Sequence, residues 1–309
     1  MVPKGGFHEV IEKLEHPARD KFGAKFHYNK PVKSVIVDKH NRATGIELED
    51  GTKVEADIVV CNADLVYAYN KLLPTTSYGE KLATKEHTSS SISFYWGLRE
   101  KLDKFHVHNV FLAEAFKKSF DEIFKNHTLP SQASFYINVP SRIDPDAAPE
   151  SKDTMVVLVP TGHMTNMSGN MNELVARARR QVIETIGARS NIKNFSSYVE
   201  TEIINDPRTW NQKFNLWNSS ILGLTHSIFQ VLTFRPSLKS PVFKDLYFVG
   251  ASTRPGTGVP IVLCGAKLLE SQIISDYGNE PRKSNSLSPM TILLPFLFFV
   301  FYGLSLIHI

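Results

Sequence analysis

The feature that most constrains this chain is a short apolar strand ending in glycines, Leu246-Tyr-Phe-Val-Gly-Ala-Ser-Thr-Arg-Pro-Gly-Thr-Gly-Val-Pro, after which helical spacing returns over Val259 to Tyr277. Glycine turns the chain where other residues are strained, and it lets backbone N–H groups come close to a ligand. At the start of a helix those donors are unsatisfied, and the helix dipole favours negative charge, so a pyrophosphate fits such a turn. The run therefore predicts an α/β element with a candidate anion site over Gly250 to Pro260. A bare glycine turn can equally serve only to let a helix pack closely.

Composition removes several other readings. With 42% hydrophobic and 21% charged residues in 309, the chain can bury a proper core. The formal charge of +4 comes from bases scattered among acids, as in Lys117-Lys118 followed by Asp121-Glu122, so no nucleic-acid groove is expected. Cys61 and Cys264 lack neighbours at metal-ligand spacing and read as small buried hydrophobes; no metal site is expected. Four Asn-x-Ser/Thr sites follow no signal peptide, which favours a reducing, cytosol-facing domain.

Along the chain, Phe7 to Phe22 carries a helical apolar stripe between glycines. Alternating runs at Lys25–Tyr28, Val32–Asp38, Ala43–Glu49, Lys53–Glu55 and Ile58–Cys61 predict a strand, a meander and a returning strand, with Asp50-Gly51 as a hairpin turn. From Ala63 the spacing turns helical. Ser90–Leu98, Ala133–Val139 and Met155–Val159 read as strands of a separate sheet, Asn172–Ile186 as an amphipathic helix and Phe195–Ile203 as a further strand.

Beyond Lys283 no acidic or basic side chain other than His308 appears, and residues 290–307, MTILLPFLFFVFYGLSLI, have about the length needed to cross a bilayer core. The expectation is a membrane-associated tail with the preceding domain facing the cytosol; the other reading is a buried core helix. The last six residues, Leu304-Ser-Leu-Ile-His-Ile, are what a transposon adapter encodes when translated in frame, so 304–309 are set aside from fold reasoning as an expected sequencing scar.

Several elements in order resemble the phytoene desaturase (phytoene dehydrogenase) family of bacterial and fungal type. They are Pro3-Lys-Gly-Gly-Phe, Pro31-Val-Lys-Ser-Val, Gly45-Ile-Glu-Leu-Glu-Asp-Gly, Ile58-Val-Val-Cys-Asn-Ala-Asp, the Gly223-x-x-His226-x-x-x-Gln230 pattern, Phe234-Arg-Pro and the glycine turn itself. The resemblance runs from residue 1 to about 278. It implies an α/β (α+β) fold: part of an FAD-dependent, amine-oxidase-like Rossmann-type domain, without the first β-α-β unit that carries G-x-G-x-x-G, plus a substrate domain with a mixed or antiparallel sheet and helices. The implied division is 1–64 for the remainder of the flavin domain, 65–235 for the polyene-binding domain, 236–278 for the returning flavin segment and 279–309 for linker and tail.

By the same resemblance FAD would be contacted by Val32, Asn62, Asp64 and Gly250, Ala251, Ser252, Pro255, Gly256, Gly258, Val259 and Pro260. Substrate would meet His226, Phe229, Gln230 and Arg235, with His226 and Gln230 four apart on one helical face. The bland alternatives are an ordinary strand residue at Val32, a cap at Asp64, a core His226 and a structural ion pair at Arg235. Aromatics such as Phe94, Tyr95, Trp96, Trp210 and Trp217 could line a polyene channel or simply pack a core.

The implied activity is removal of hydrogen next to a polyene, with hydride to FAD, taking phytoene and partly desaturated carotenes toward lycopene. Membrane lipid would be a partner, and quinone or oxygen an electron acceptor. No catalytic residue is assigned, because an allylic C–H bond is already activated and the cofactor carries the hard step. The alternatives are a related carotenoid isomerase or retinoid saturase, or a non-catalytic prenyl- or lipid-binding fragment; this chain alone is expected to bind FAD poorly or not at all and to be inactive. Amine oxidases rank lower, since Ala251 rather than an acidic residue follows Gly250.

Overall fold

The computed structural model describes residues 4–163 and 170–278. The expected linker and membrane tail at 279–309 lie outside them, and among the described residues no helix is long and apolar enough to cross a membrane. The chain divides into two compact units. Among the described residues, one is formed by Phe7–Glu86 together with those from Leu222 to Gly278, the other chiefly by those of His87–Ile221. Residues 65–86 and 222–235 thus fold with the unit that holds the glycine turn. The architecture is mixed helix and sheet, as the sequence pattern implies.

In the first unit, α1 (Gly6–Asp20) buries Ile11 and Ala18. The strand expected at Lys25–Tyr28 does not form: among the described residues no strand runs beside it, and its alternating aromatics pack locally instead, Phe26 stacking on Tyr28 at 6.3 Å with the Arg19 guanidinium over Phe26. Strands β1 (Val32–Val37), β2 (Ala43–Leu48) and β3 (Lys53–Glu55) make an antiparallel meander, with Ile36 opposite Gly45 and Ile46 opposite Val54. The Asp50-Gly51 turn closes it, Gly51 sitting at φ 83° and donating to Leu48 O at 3.0 Å. Gly45 is required for a different reason, since a Cβ there would fall 2.2 Å from Val54 O. Strand β4 (Val59–Cys61) leads into the short α2 (Leu65–Tyr67) and then α3 (Ser77–Ala83).

The second unit is a five-stranded antiparallel sheet. Its strands are β5 (Ser90–Leu98), β6 (His108–Phe111), β7 (Phe135–Asn138), β8 (Asp153–Thr161) and β9 (Val199–Asn205), in the order β6-β7-β8-β5-β9. Residues Phe195–Tyr198, expected as the start of a strand, form a 3₁₀ turn that follows Asn194 in a left-handed conformation. Helices α4 (Phe116–Phe124), α5 (Met171–Ser190) and α6 (Pro207–Phe214) complete the unit. Ala178, Val182 and Ile186 of α5 enter one core with Phe94, Trp96, Ile137, Met155 and Val157. The channel candidates Phe94, Tyr95, Trp96 and Trp210 are buried, and the indole N–H of Trp210 donates to Ser91 O at 2.7 Å, so packing accounts for them.

One ion pair is locked inside this unit. Arg142 Nη2 and Nη1 donate to both oxygens of the buried Asp153, which also accepts from Leu102 N at 2.8 Å and Ser141 Oγ at 2.7 Å. Burial pushes the Asp153 carboxyl up, but Arg142 and these donors outweigh it and hold it below the usual carboxylate value. A carboxylate so depressed contributes stability above its unfolded pKa, near 4, and that stability is lost as pH falls through the folded value. Breaking a buried pair costs about 3–5 kcal/mol. Arg142→Met should therefore lower the melting temperature markedly at pH 7, and the gap to the parent should narrow on acidification below pH 4; thermal unfolding across pH checks both.

The returning segment supplies β10 (Leu246–Phe248) and α7 (Val259–Tyr277). Strand β10 is fully buried and pairs in parallel with β4, Tyr247 opposite Val60. Tyr247, Val249 and Val60 pack against Leu269 and Ile273 of α7. Tyr247 Oη donates to Asp276 at 2.6 Å and Tyr277 Oη to Asp245, which fastens the far end of the helix to the strand.

Candidate functional site

Parallel pairing carries the segments that follow β4 and β10 out at the same end of the two strands, so the Asn62-Ala63-Asp64 turn meets the glycine loop. Asn62 Nδ2 donates to Val249 O at 2.6 Å, and a Cβ on Gly250 would come within 2.9 Å of that amide. Asp64 caps α2, its Oδ1 accepting from Tyr67 N at 2.9 Å. Ser252 and Thr253 are buried; Ser252 Oγ accepts from Leu224 N at 3.1 Å, and Thr253 Oγ1 donates to Gly250 O at 3.0 Å.

Arg235 organises the rest. It is buried without a carboxylate partner among the described residues, and its guanidinium donates to the carbonyls of Ala251, Thr253, Thr225, Gln230 and Leu224. The structural ion pair considered from sequence is replaced by a fan of backbone acceptors, and the side chain has no donor turned to an outside ligand. Gln230 is also committed, its Nε2 donating to Glu86 O at 2.9 Å and to Thr225 Oγ1. His226 and Gln230 do not share a helical face. The segment is irregular, with 3₁₀ turns at Ile228–Gln230 and Leu232–Phe234, because Arg235 and Glu86 take its backbone and side-chain polar groups.

His226 reaches the loop tip, where Nε2 lies 3.0 Å from Thr257 Oγ1. Partial burial, and then the Arg235 charge, hold its imidazole below the ordinary value, hence neutral at pH 7. Phe229, 76% exposed, stands edge-on to Phe234 at 5.9 Å, beside exposed Ile228 and Leu232. Val32 opens β1 opposite Leu48 and supplies none of the hydrogen bonds that tie the loop. Cys264 is exposed on α7 rather than buried, and Cys61 is half-buried, its thiol pushed up to about 11 by burial.

The loop passes the test of fitting a flavin dinucleotide. Gly250, Gly256 and Gly258 have φ of 132°, 138° and 105°, which other residues avoid. A Cβ at Gly256 or Gly258 would meet no protein atom closer than 3.8 Å, so packing does not explain those glycines while a ligand approaching the backbone would. Helix α7 begins at Gly258 with no side-chain cap, and its first N–H groups have no intrahelical acceptor. Gly265, nearly two turns in, lets the loop close on the helix, as a Cβ there would be 3.1 Å from Pro255 Cδ.

Two residues to which the sequence assigned no role in the site complete the scaffold. Arg254 donates to Arg235 O at 3.0 Å and Thr233 O at 2.7 Å, and Gly223, at φ 69°, lets Ser252 approach, since a Cβ there would be 2.1 Å from Ser252 Oγ. The pattern of Gly223 three residues before His226 was the available signal.

Comparison places this geometry. The family model of flavin-containing amine oxidoreductases matches residues 1–263, and the chain belongs to that family. FAD is its cofactor. The more specific kinship is with phytoene desaturases: the chain is 54% identical over 289 residues to that of Phycomyces blakesleeanus, covering 91% of this chain and 50% of the relative. It is 46% identical over 298 residues to that of Fusarium fujikuroi, with 90% and 52% covered. The chain thus spans about half the length of the curated relatives it matches. Among solved structures, an oxidoreductase from Methanosarcina mazei aligns with TM-score 0.59 at 17% identity, over 87% of this chain and 55% of that one. A putrescine oxidase variant redesigned in cofactor binding aligns with TM-score 0.55 at 14% identity, over 88% and 53%. These two share the fold.

Removing the Arg235 fan should unfasten the loop. Each stranded buried acceptor costs about 1–3 kcal/mol, so Arg235→Met should destabilise the unit by at least ~3 kcal/mol and speed amide exchange over Gly250–Gly258 before global unfolding. Gly223→Ala should cost less and act through the lost Ser252 contact. Calorimetry with hydrogen exchange by mass spectrometry reads both.

Proposed function

We propose that this chain is the part of a carotenoid desaturase that closes the flavin site, and that the whole protein removes hydrogens from phytoene and partly desaturated carotenes toward lycopene. The observation that carries the reading is the β10–α7 loop, three glycines at positive φ ahead of an uncapped helix, in a chain 54% identical to a phytoene desaturase. When bound, FAD supplies the two-electron acceptor for the C–H bond that breaks.

The chain's own residues hold, orient and exclude. The first turn of α7 offers N–H groups and positive dipole to a negatively charged group. Arg235 and Asn62 set the loop at fixed distance from β10. His226, neutral beside Thr257, puts no cation against an apolar hydrocarbon. Ile228, Phe229, Leu232 and Phe234 offer an apolar surface suited to a polyene, whose recognition rests on shape and burial rather than polar pairing. A quinone or oxygen is the proposed electron acceptor, and membrane lipid the proposed reservoir of so apolar a substrate. The isomerase, saturase and non-catalytic alternatives gain no support of their own.

Joined in frame to the N-terminal half of the Phycomyces desaturase and expressed in phytoene-accumulating bacteria, the chain should yield lycopene or more desaturated carotenes by chromatography, and the purified chimera should carry FAD. Gly258→Val should abolish flavin loading, because a side chain at φ 105° is strained and stands where the cofactor must approach. Full flavin content in Gly258→Val, or unaltered phytoene with FAD bound, contradicts the proposal. Deleting residues 289–309 should shift the chain toward the carbonate-extractable fraction; an unchanged membrane fraction removes the tail from the proposal.

A further inference from the structure

Helix α4 belongs to the unit formed by His87–Ile221, which holds none of the residues of the glycine loop or of its Arg235 hub. Its buried side holds Ser119 and Ile123. Phe116, Phe120 and Phe124, spaced one turn apart, are 48%, 42% and 47% exposed and form a ladder, with ring centroids 4.5 and 5.6 Å apart. Four-residue spacing puts three rings along one flank of the helix. The chain entering α4 adds exposed Leu112 and Val110.

The charges on this helix are sorted by direction. Lys117, Lys118 and Lys125 keep 85%, 67% and 69% of their side chains in solvent, whereas Asp121 and Glu122 keep 36% and 16%. Asp121 is held between Lys117 and Lys125, and Glu122 turns in to accept from Ser131 N at 2.7 Å. Arg189 adds a further cation, donating to Leu112 O at 2.7 Å. Lys118 lies 4.0 Å from Glu122, and one exposed carboxylate, Glu114, stands at the entry to the helix, so the cations most open to solvent beside the ladder are the three lysines, on long stems that can swing away from an apolar phase.

We propose that α4 is an interfacial helix that lies on an anionic bilayer, its Phe116-Phe120-Phe124 ladder entering the headgroup-acyl boundary and its lysines meeting lipid phosphates. Aromatic rings with flanking lysines on one amphipathic helix match that boundary in both polarity and charge. A second copy of this chain is the rival occupant, but an isologous contact would set the lysine clusters of the two helices against each other. The proposal stands on α4 alone and holds whether or not the glycine loop binds flavin.

The test uses the full chain with Phe120→Trp as a local reporter, since Trp96 and Trp210 are buried and Trp217 is half-buried. Phosphatidylcholine vesicles containing phosphatidylglycerol should shift the added emission to the blue, and brominated lipid should quench it, while the parent's emission stays put. Replacing all three phenylalanines by serine, with circular dichroism to check folding, should remove the insertion signal seen with a probe at Leu112→Trp. Lys117→Glu with Lys125→Glu should weaken the response to anionic vesicles at least ~tenfold. If the Phe120→Trp emission is unmoved by vesicles, whether or not they bind the chain through another segment, α4 is not the lipid contact. If that emission is already shielded in a vesicle-free dimer seen by sedimentation, the ladder is a self-association surface and the proposal fails.

Discussion

The candidate site depends on one buried guanidinium. Arg235 spends its donors on the carbonyls of Leu224, Thr225, Gln230, Ala251 and Thr253, so two stretches distant in sequence share one hub. Backbone carbonyls in an irregular loop have no ladder to satisfy them, and leaving several buried would cost more than a small unit can absorb. A planar, permanently charged fork can serve several acceptors at fixed angles, which an ammonium cannot. With the loop carbonyls occupied on the inside, and the Thr253 and Arg254 N–H groups bonded to Gly250 O and Pro236 O, the start of α7 is where N–H groups remain without an intrahelical acceptor.

Two further constraints bring the loop to the right place. Parallel pairing of β10 with β4 fixes which end of the strand the loop leaves from, and the Asn62 amide bonded to Val249 O fixes the residue that joins the strand to Gly250. At the other end Tyr247, Tyr277, Asp245 and Asp276 secure α7, and Arg42 pairs with Asp245 to bind the meander to the same point. A rigid base beneath a glycine loop is what lets a backbone hold a dinucleotide without side-chain charges.

Much of this was legible because the relevant signals are local. The apolar run at Leu246, the Asp50-Gly51 turn, the alternating residues of β8 and the stripe of α5 each announce their element within a dozen residues. The glycines of the loop were readable as ligand-facing positions for the same reason. What could not be read were partnerships across distance. Lys25–Tyr28 alternates like a strand, but a strand needs an edge to pair with, and here Arg19 captures Phe26 first. His226 and Gln230 have helical spacing, yet Glu86, far away in sequence, takes the Gln230 amide and Arg235 takes its carbonyl. Arg235 itself looked like half of an ion pair because nothing in a sequence marks a carbonyl as an unsatisfied acceptor. Helix α4 was missed since its aromatics fall on an exposed flank, so its pattern is not that of a helix packed into a core.

The central claim is that the uncapped start of α7 and the loop before it close around FAD. Amide hydrogen exchange in a flavin-loaded protein containing this chain, compared with the flavin-free form, tests it most directly. The account predicts that FAD slows exchange over Gly250–Val262, above all at the Val259 and Ile261 amides, and leaves the β5–β9 sheet unchanged. Tight FAD binding with the exchange of those amides unaltered would place the cofactor elsewhere and contradict the account.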